Sequence, residues 1–309
     1  MNPVDEVLSS RIDEVLEDPH EVKRLSGEEI YLLLKEMISL FEKEKILVRL
    51  AEPRASVFIG DTHGDFDSTI SVVSREFLSL NKDERPYLIF LGDYVDRGME
   101  DVANFNFVSM LKLRFPERVV MLRGNHESDE MNRKYGFYSL ATRDPRISEE
   151  GYRKYQDVFG QMPLAVFLSW NKVFGVHGGV PFDPRHSGPY ALEELDAFEK
   201  GRDIEEMPEV SCQILYGDPR ENLSLDEGYM VNYSRGVGYF YGRPVFEDFT
   251  ERNDISSVIR SHQVFEEGHR YFFDNRLLSI FSARNYSGYF IDAMFAMVDL
   301  DGRVELLRV

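Results

Sequence analysis

Tyr87-Leu88-Ile89-Phe90-Leu91, followed directly by Gly92-Asp93-Tyr94-Val95-Asp96-Arg97-Gly98, is the stretch that decides the fold. Five consecutive apolar residues read as a buried strand, and two carboxylates and a guanidinium held between glycines read as a tight loop at its end. In open α/β sheets ligands bind outside the carboxyl ends of strands, so chemistry is expected at this loop. The same design recurs on either side. Ala55-Ser56-Val57-Phe58-Ile59 leads into Gly60-Asp61-Thr62-His63-Gly64-Asp65, and Val119-Val120-Met121-Leu122 ends in Arg123-Gly124-Asn125-His126-Glu127. Helical stretches from about Phe66 to Leu80 and from about Val102 to Arg114 separate the three units. Three strand-loop-helix units predict an α/β fold with a mainly parallel first sheet.

Working outward, residues 1–25 are acidic and weakly amphipathic and predict a short helix lying on the body. Ser26-Gly27-Glu28-Glu29 has capping-box spacing, and Ile30, Leu33, Leu34, Met37, Ile38 and Phe41 follow at helical period. Residues 1–52 are therefore expected to be a helical segment packed on residues 53–309, the two forming one structural unit. Residues 128–170 read as helix with interruptions, ending near Pro163. Strands are predicted at Lys172 to Val176, Ser257 to Arg260, Leu277 to Phe281, Ala293 to Val298 and Val304 to Leu307. His177-Gly178-Gly179 follows the first of these and Ser261-His262-Gln263 the second. There is no repeat of fixed period and no Gly/Ser linker, which favours one two-sheet domain over two separable ones.

The 309 residues, 43% hydrophobic, suffice for a sizeable core. One cysteine, Cys212, permits no internal disulfide and fits a reducing compartment. No apolar run approaches a membrane span, and the start is acidic where a secretory signal would be basic, so a soluble, cytoplasmic protein is expected. A net charge of −19 argues against a nucleic-acid binder that works by phosphate neutralisation. Any phosphate site must be made locally, by cations or converging arginines inside one cleft.

Asp61, His63, Asp93, Asn125, His177 and His262 are oxygen and imidazole donors on turns that follow strands. Any one of them alone is compatible with an ordinary turn or core residue. Together they predict a dinuclear metal site: Asp93 bridges, Asp61 and His63 complete one side, and Asn125, His177 and His262 the other. Mixed nitrogen and oxygen ligation suits Mn, Fe or Zn better than Mg or Ca. Two such ions activate a water and clamp a phosphoryl group for in-line displacement. His126, next to Asn125, is the candidate general acid, with Asp96 as partner for its other ring nitrogen. Arg97 is expected to fork onto phosphate oxygens, whereas Arg235, in Asn232-Tyr233-Ser234-Arg235-Gly236, has only a weak case from its own surroundings.

At this point the sequence resembles a known family. Gly-Asp-Thr-His-Gly (60–64), Gly-Asp-Tyr-Val-Asp-Arg-Gly (92–98), Leu-Arg-Gly-Asn-His-Glu (122–127), His-Gly-Gly (177–179), Ser-His-Gln (261–263) and Phe-Ser-Ala-Arg-Asn-Tyr-Ser-Gly (281–288) are similar to the signature of the metal-dependent serine/threonine phosphoprotein phosphatases. The similarity runs over roughly residues 26–309 and is nearest to the type 1 branch and its short archaeal relatives, with no regulatory tail expected after Val309. The resemblance implies a central two-sheet β-sandwich of mixed strands flanked by helices, with the dinuclear site at strand ends. It places the family's ligands on the six donors, its acid on His126 and the orienting carboxylate on Asp96. Its phosphate-binding arginines fall on Arg97 and Arg235, and Tyr286 matches a tyrosine overhanging the site.

The implied reaction is hydrolysis of serine/threonine phosphomonoesters in one step by a hydroxide bridging two divalent ions. Phosphoproteins are then the substrates, and regulatory proteins the further partners. Two other readings remain open: a dinucleotide polyphosphate hydrolase or phosphodiesterase of the wider superfamily, and an inactive scaffold that binds phosphoproteins. The chain departs from the family pattern in several places. Asp65 replaces a glutamine, Arg284 a proline, Ser287 a cysteine, and Tyr216 the tryptophan of the usual Trp-Ser/Gly-Asp-Pro. The stretch from Asp183 to Met207 is divergent and is expected to reshape a substrate groove.

Overall fold

The computed structural model describes residues 3–184, 188–202, 205–223 and 228–309. Two sheets carry the molecule. One has five strands in the order Val304–Arg308, Met294–Val298, Ser56–Ile59, Tyr87–Phe90, Val119–Met121. The last three run parallel, as the repeated strand-loop-helix pattern predicts, and the two C-terminal strands join antiparallel. The other has six strands in the order Leu47–Leu50, Ala165–Leu168, Val173–Val176, Ser257–Arg260, Leu277–Ile280, His269–Phe272.

Strand alternation builds the layers. Phe58, Ile89 and Val120 point inward and meet Val166, Ile259 and Leu278 of the opposite sheet, forming the core of a sandwich. Their neighbours Val57, Ile59, Leu88, Phe90, Val119 and Met121 face the other way, onto helices that include Gly27–Phe41, Asp101–Arg114 and Ser148–Gln161. Burying each such side chain contributes roughly 1.5–3 kcal/mol relative to exposure. The second sheet is covered on its outer side by Glu209–Tyr216 and Arg243–Arg252. Mixed sheets flanked by helices are thus the architecture.

Helix Gly27–Phe41 begins where the capping box places it: the Ser26 hydroxyl accepts the Glu29 N–H at 3.2 Å, and the Glu29 carboxylate accepts the Ser26 N–H at 2.7 Å. Ser26→Ala is expected to lower stability by about 1 kcal/mol. The check is a shift of the urea midpoint with an unchanged slope.

Three strands of these two sheets depart from the sequence reading. Residues 1–52 are not wholly helical, because Leu47–Leu50 pairs in parallel with Ala165–Leu168 at one edge of the six-stranded sheet. Ala165–Leu168 itself lies inside the stretch read as interrupted helix, and His269–Phe272 forms the other edge. The helix expected from Phe66 to Leu80 is α-helical over Phe66–Val73 and continues as a π turn over Ser74–Leu78. The divergent stretch 183–207 lies partly outside the described residues. Its described part includes the short helix Leu192–Leu195. No helix among the described residues is long and apolar enough to cross a membrane.

Candidate metal and phosphate site

The six donors, Asp96, Arg97 and His126 follow the carboxyl ends of strands in the two large sheets; Arg235 lies between the antiparallel strands Tyr229–Val231 and Tyr239–Tyr241, and Tyr286 lies on the short strand Asn285–Tyr286. Asp61 forms a β-bridge with Phe281, and the Ser282 N–H donates to the Asp61 carbonyl at 3.1 Å, tying the ends of the sheets to each other. The loops are tight. His63, Asp93, Asp96, Arg97 and His262 have φ of 40°, 54°, 70°, 70° and 72°, a left-handed conformation that costs non-glycine residues energy and clusters at functional sites. Close approach explains two glycines. A Cβ on Gly92, whose φ is 107°, would lie 2.4 Å from the Gly124 nitrogen, and one on Gly124 would lie 2.2 Å from Asp93 Oδ1.

Glu127 locks this junction, accepting the N–H groups of Asp93 and Gly124 on Oε2 at 2.8 Å each and that of Tyr94 on Oε1 at 2.9 Å. Asn104 ties the first two loops, donating to Thr62 Oγ1 at 2.9 Å and to the Tyr94 carbonyl at 2.8 Å.

The six donors form two groups that share Asp93. In the first, His63 Nε2 lies 3.8 Å from Asp61 Oδ2 and 3.5 Å from Asp93 Oδ2. In the second, His177 Nε2 lies 3.4 Å from Asp93 Oδ1 and 3.1 Å from both Asn125 Oδ1 and His262 Nδ1. Tautomers follow from the partners. His63 Nδ1 and His177 Nδ1 are each 2.9 Å from a backbone carbonyl, of Val95 and Leu91, which can only accept, so the protons sit there and both Nε2 atoms are bare lone pairs. Acceptors crowding a nitrogen that has no proton to give are relieved by a cation. This donor set fits divalent metal ions.

Electrostatics point the same way. Burial drives the His63 imidazole down to about 4, and holds His177 and His262 well below the ordinary range, so all three are neutral imidazoles at neutral pH. Burial and the nearby carboxylates of Asp61 and Glu127 push Asp93 well up. Burial also raises Asp61, takes Asp96 to about 6 and takes Glu127 to about 7. Four buried carboxyls around one cleft are costly to ionise unless positive charge sits among them.

His126 stands against the first group, its ring centroid 4.7 Å from that of His63. His63, Asp93 and His126 bring ligand atoms within 4.8 Å of one another, as do Asp93, His177 and His262. The His126 Nδ1–H donates to Asp96 Oδ2 at 2.8 Å, which leaves Nε2 open to the cleft. Asp96 is itself held by the Phe137 N–H at 2.8 Å and by Asn132 Nδ2 at 3.0 Å; Asn132 also donates to the His126 carbonyl at 2.6 Å. Burial first, then the cations of Arg97, Arg235 and Lys134, keep the free imidazole well below its usual range.

The arginines flank the donors. The Arg97 guanidinium carbon stacks 3.7 Å from the centre of the Tyr135 ring and 5.7 Å from that of Tyr286. Arg235 donates from Nε to Asp218 Oδ2 at 2.9 Å and lies 3.4 Å from the His262 carbonyl. The Tyr286 ring is 5.1 Å from His63. The structure therefore brings together every residue singled out in the sequence, Arg235 and Tyr286 included. Sequence reasoning missed Asn132, Tyr135 and the role of Asp218, which accepts from Arg260, Asn232 and Arg235 at once. Glu127 and Asp218 were at least within quoted motifs. Asn132 and Tyr135 carry no local signal.

Comparison with known proteins gives concordant matches. Residues 56–265 match the model of a family described as calcineurin-like phosphoesterase. A probable serine/threonine-protein phosphatase of Encephalitozoon cuniculi is 34% identical over 297 residues, covering 90% of this chain and 61% of that protein. The chain thus spans about three-fifths of that relative's length. Among solved structures, a serine/threonine phosphatase from Saccharomyces cerevisiae with similarity to human phosphatase PP5 superposes with a TM-score of 0.79 at 24% identity, covering 92% of this chain and 90% of that one. A cold-active protein-tyrosine phosphatase of a psychrophilic Shewanella reaches 0.59 at 14% identity, covering 87% of this chain and 84% of that one. At these identities the two structures speak for the fold alone.

Proposed function

The chain belongs to the calcineurin-like phosphoesterase family, and from that premise we propose that it is a metal-dependent protein serine/threonine phosphatase acting on phosphomonoesters of phosphoproteins. The observation that carries the reading is the His126–Asp96 pair at 2.8 Å, set against two donor groups that share Asp93 and flanked by Arg97 and Arg235. Asp61, His63, Asp93, Asn125, His177 and His262 would hold two divalent ions, with Mn, Fe or Zn suiting the mixed donors, and such ions would supply Lewis acidity toward a water and toward the phosphoryl oxygens.

The chain's own groups do the rest. Arg97, its plane set by Tyr135, and Arg235, its position set by Asp218, bind the outer phosphate oxygens. The Tyr286 hydroxyl closes the site from above. Asp96 fixes the His126 ring through Nδ1, so that Nε2 can deliver a proton to the departing serine or threonine oxygen. Burial is the main cause that holds this imidazole neutral, and arrival of a phosphate dianion offsets the lesser contribution of the Arg97 and Arg235 charges and so favours its proton. Regulatory proteins are the expected further partners.

The relative from Encephalitozoon cuniculi supports a phosphoprotein substrate through its name. The test is a comparison of kcat/KM on a phosphoserine peptide and on diadenosine tetraphosphate. The phosphatase reading predicts preference for the peptide, and preference for the dinucleotide would replace it with a polyphosphate hydrolase.

A further inference from the structure

Two departures noted far apart in the sequence meet in space. Asp65, where the resembled family has glutamine, is a buried carboxylate that caps helix Phe66–Val73, its Oδ1 accepting the Ser68 N–H at 3.3 Å. Its Oδ2 accepts three more donors: the Ser68 hydroxyl at 2.6 Å, the Arg284 N–H at 2.7 Å and the Asn285 N–H at 3.0 Å. Arg284, where the family has proline, thus uses the one backbone group that proline lacks. Its side chain adds a second link, Nε donating to Ser68 Oγ at 3.0 Å.

From Asn285 onward the chain forms a two-strand hairpin, Asn285–Tyr286 against Tyr289–Phe290, turned by Ser287 and Gly288 at φ of 51° and 82°. Its base is closed by the Ile291 N–H on the Arg284 carbonyl at 2.9 Å. Tyr286 sits on this hairpin with its ring 5.1 Å from both His63 and Phe281. The outer residues Tyr289 and Phe290 are 73% and 75% exposed. Packing therefore holds the inner side of the hairpin only, and a two-strand hairpin alone is marginal in water.

We infer that Asp65 is a positioning residue, whose carboxylate and the Arg284 backbone N–H form one strut that holds the 285–290 hairpin, and with it Tyr286, over the metal and phosphate site. A carboxylate receiving two consecutive backbone N–H groups makes charge-assisted bonds stronger than those an amide would offer. An amide would also turn a donor toward donors in one of its two orientations. The substitutions at 65 and 284 are thus a matched pair. Proline at 284 removes a donor from the strut, and glutamine at 65 weakens its acceptor.

The experiment is a double-mutant cycle on the full chain: wild type, Asp65→Ser, Arg284→Pro and the double variant. Serine keeps a helix-capping oxygen but is too short to reach the hairpin, so global stability by urea unfolding should hold near wild type. The first readout is the initial rate of chymotryptic cleavage after Tyr289 and Phe290, which reports local opening of the hairpin. Each single variant is expected to be cut about tenfold faster, the effect of losing a charge-assisted bond, and the double variant no faster than the faster single one. Rates that multiply in the double variant, or an unchanged rate in Asp65→Ser, would overturn the strut. So would cleavage spread along the chain with a parallel loss of global stability, since the role would then be general packing.

The second readout rests on the phosphatase reading. In Asp65→Ser, KM for a phosphoserine peptide and the inhibition constant of inorganic phosphate should rise together, about five- to tenfold, with kcat within about twofold and metal content unchanged. Tyr286→Phe should reproduce the direction. Unchanged KM and phosphate inhibition beside faster cleavage would refute the positioning of Tyr286. Absence of phosphatase activity in the wild type would instead count against the proposed function, and the proteolysis cycle would still decide the strut.

Discussion

Asp93→Asn is expected to lower kcat on a phosphoserine peptide by at least about 10³-fold, because charge stabilisation by bound metal is worth several kcal/mol and each ~1.4 kcal/mol is a factor of ten in rate. The reason is placement. Asp93 puts Oδ1 3.4 Å from His177 Nε2 and Oδ2 3.5 Å from His63 Nε2, one oxygen in each donor group. An amide keeps the shape but presents a nitrogen on one side, and one group loses its anionic ligand. Asp61 places Oδ2 toward His63 Nε2 in the first group, whereas its Oδ1 accepts the His262 backbone N–H at 3.0 Å instead of joining the second set of donor atoms, so Asp61→Asn should be milder. Metal content should fall with activity in both.

Stability should move differently. Burial and the charges of Asp61 and Glu127 make an ionised Asp93 unfavourable in the metal-free protein, so the asparagine variant should unfold at no lower temperature than wild type when both are stripped. The gain in Tm on adding metal should shrink. Activity within tenfold of wild type in Asp93→Asn would contradict the sharing of this residue between two ions.

His126→Asn is expected to cost about 10²- to 10⁴-fold in kcat/KM on a phosphoserine peptide, the usual contribution of general acid catalysis, and clearly less on p-nitrophenyl phosphate. The difference lies in the leaving group. A serine alkoxide departs very badly without a proton, whereas p-nitrophenolate is stable near neutral pH. Chemistry must limit both rates, and metal content must be checked, because the His126 N–H donates to Asp93 Oδ1 at 2.9 Å and the residue adjoins Asn125. Asp96→Asn should show a weaker form of the same inequality, since it loosens the ring without removing it. Equal losses on both substrates would assign His126 to phosphate binding or metal geometry instead.

Much of this site was legible because buried parallel strands must be apolar runs and must end in loops that reverse the chain. Ser56–Ile59, Tyr87–Phe90 and Val119–Met121 are such runs, buried throughout, and each is followed by glycine and a metal-type donor. Within the two large sheets, the strands that escaped were two edges and one short apolar run. His269–Phe272 lies half in water and shows no apolar run, and Leu47–Leu50 is broken by an exposed Arg49. Ala165–Leu168 is too short for periodicity to separate it from the helical stretch before it.

The donors could be named from residue type and position, but their supports could not. Asn132 reaches Asp96 across 36 residues, and Arg260 reaches Asp218 across 42. Such pairings come from the packing of sheets and helices, which no local pattern encodes. Arg235 illustrates the boundary: its surroundings in the chain offered little, and its partners, Asp218 and the His262 carbonyl, explain its place only once the fold is assembled.

The central claim is that one cleft holds two metal ions about Asp93. Anomalous diffraction at the Mn, Fe and Zn edges, on crystals of protein purified without added metal, tests it most directly. The account predicts two peaks about 3.5–4 Å apart, one bounded by Asp61, His63 and Asp93 and the other by Asp93, Asn125, His177 and His262. A single peak, or peaks away from these residues, would contradict it.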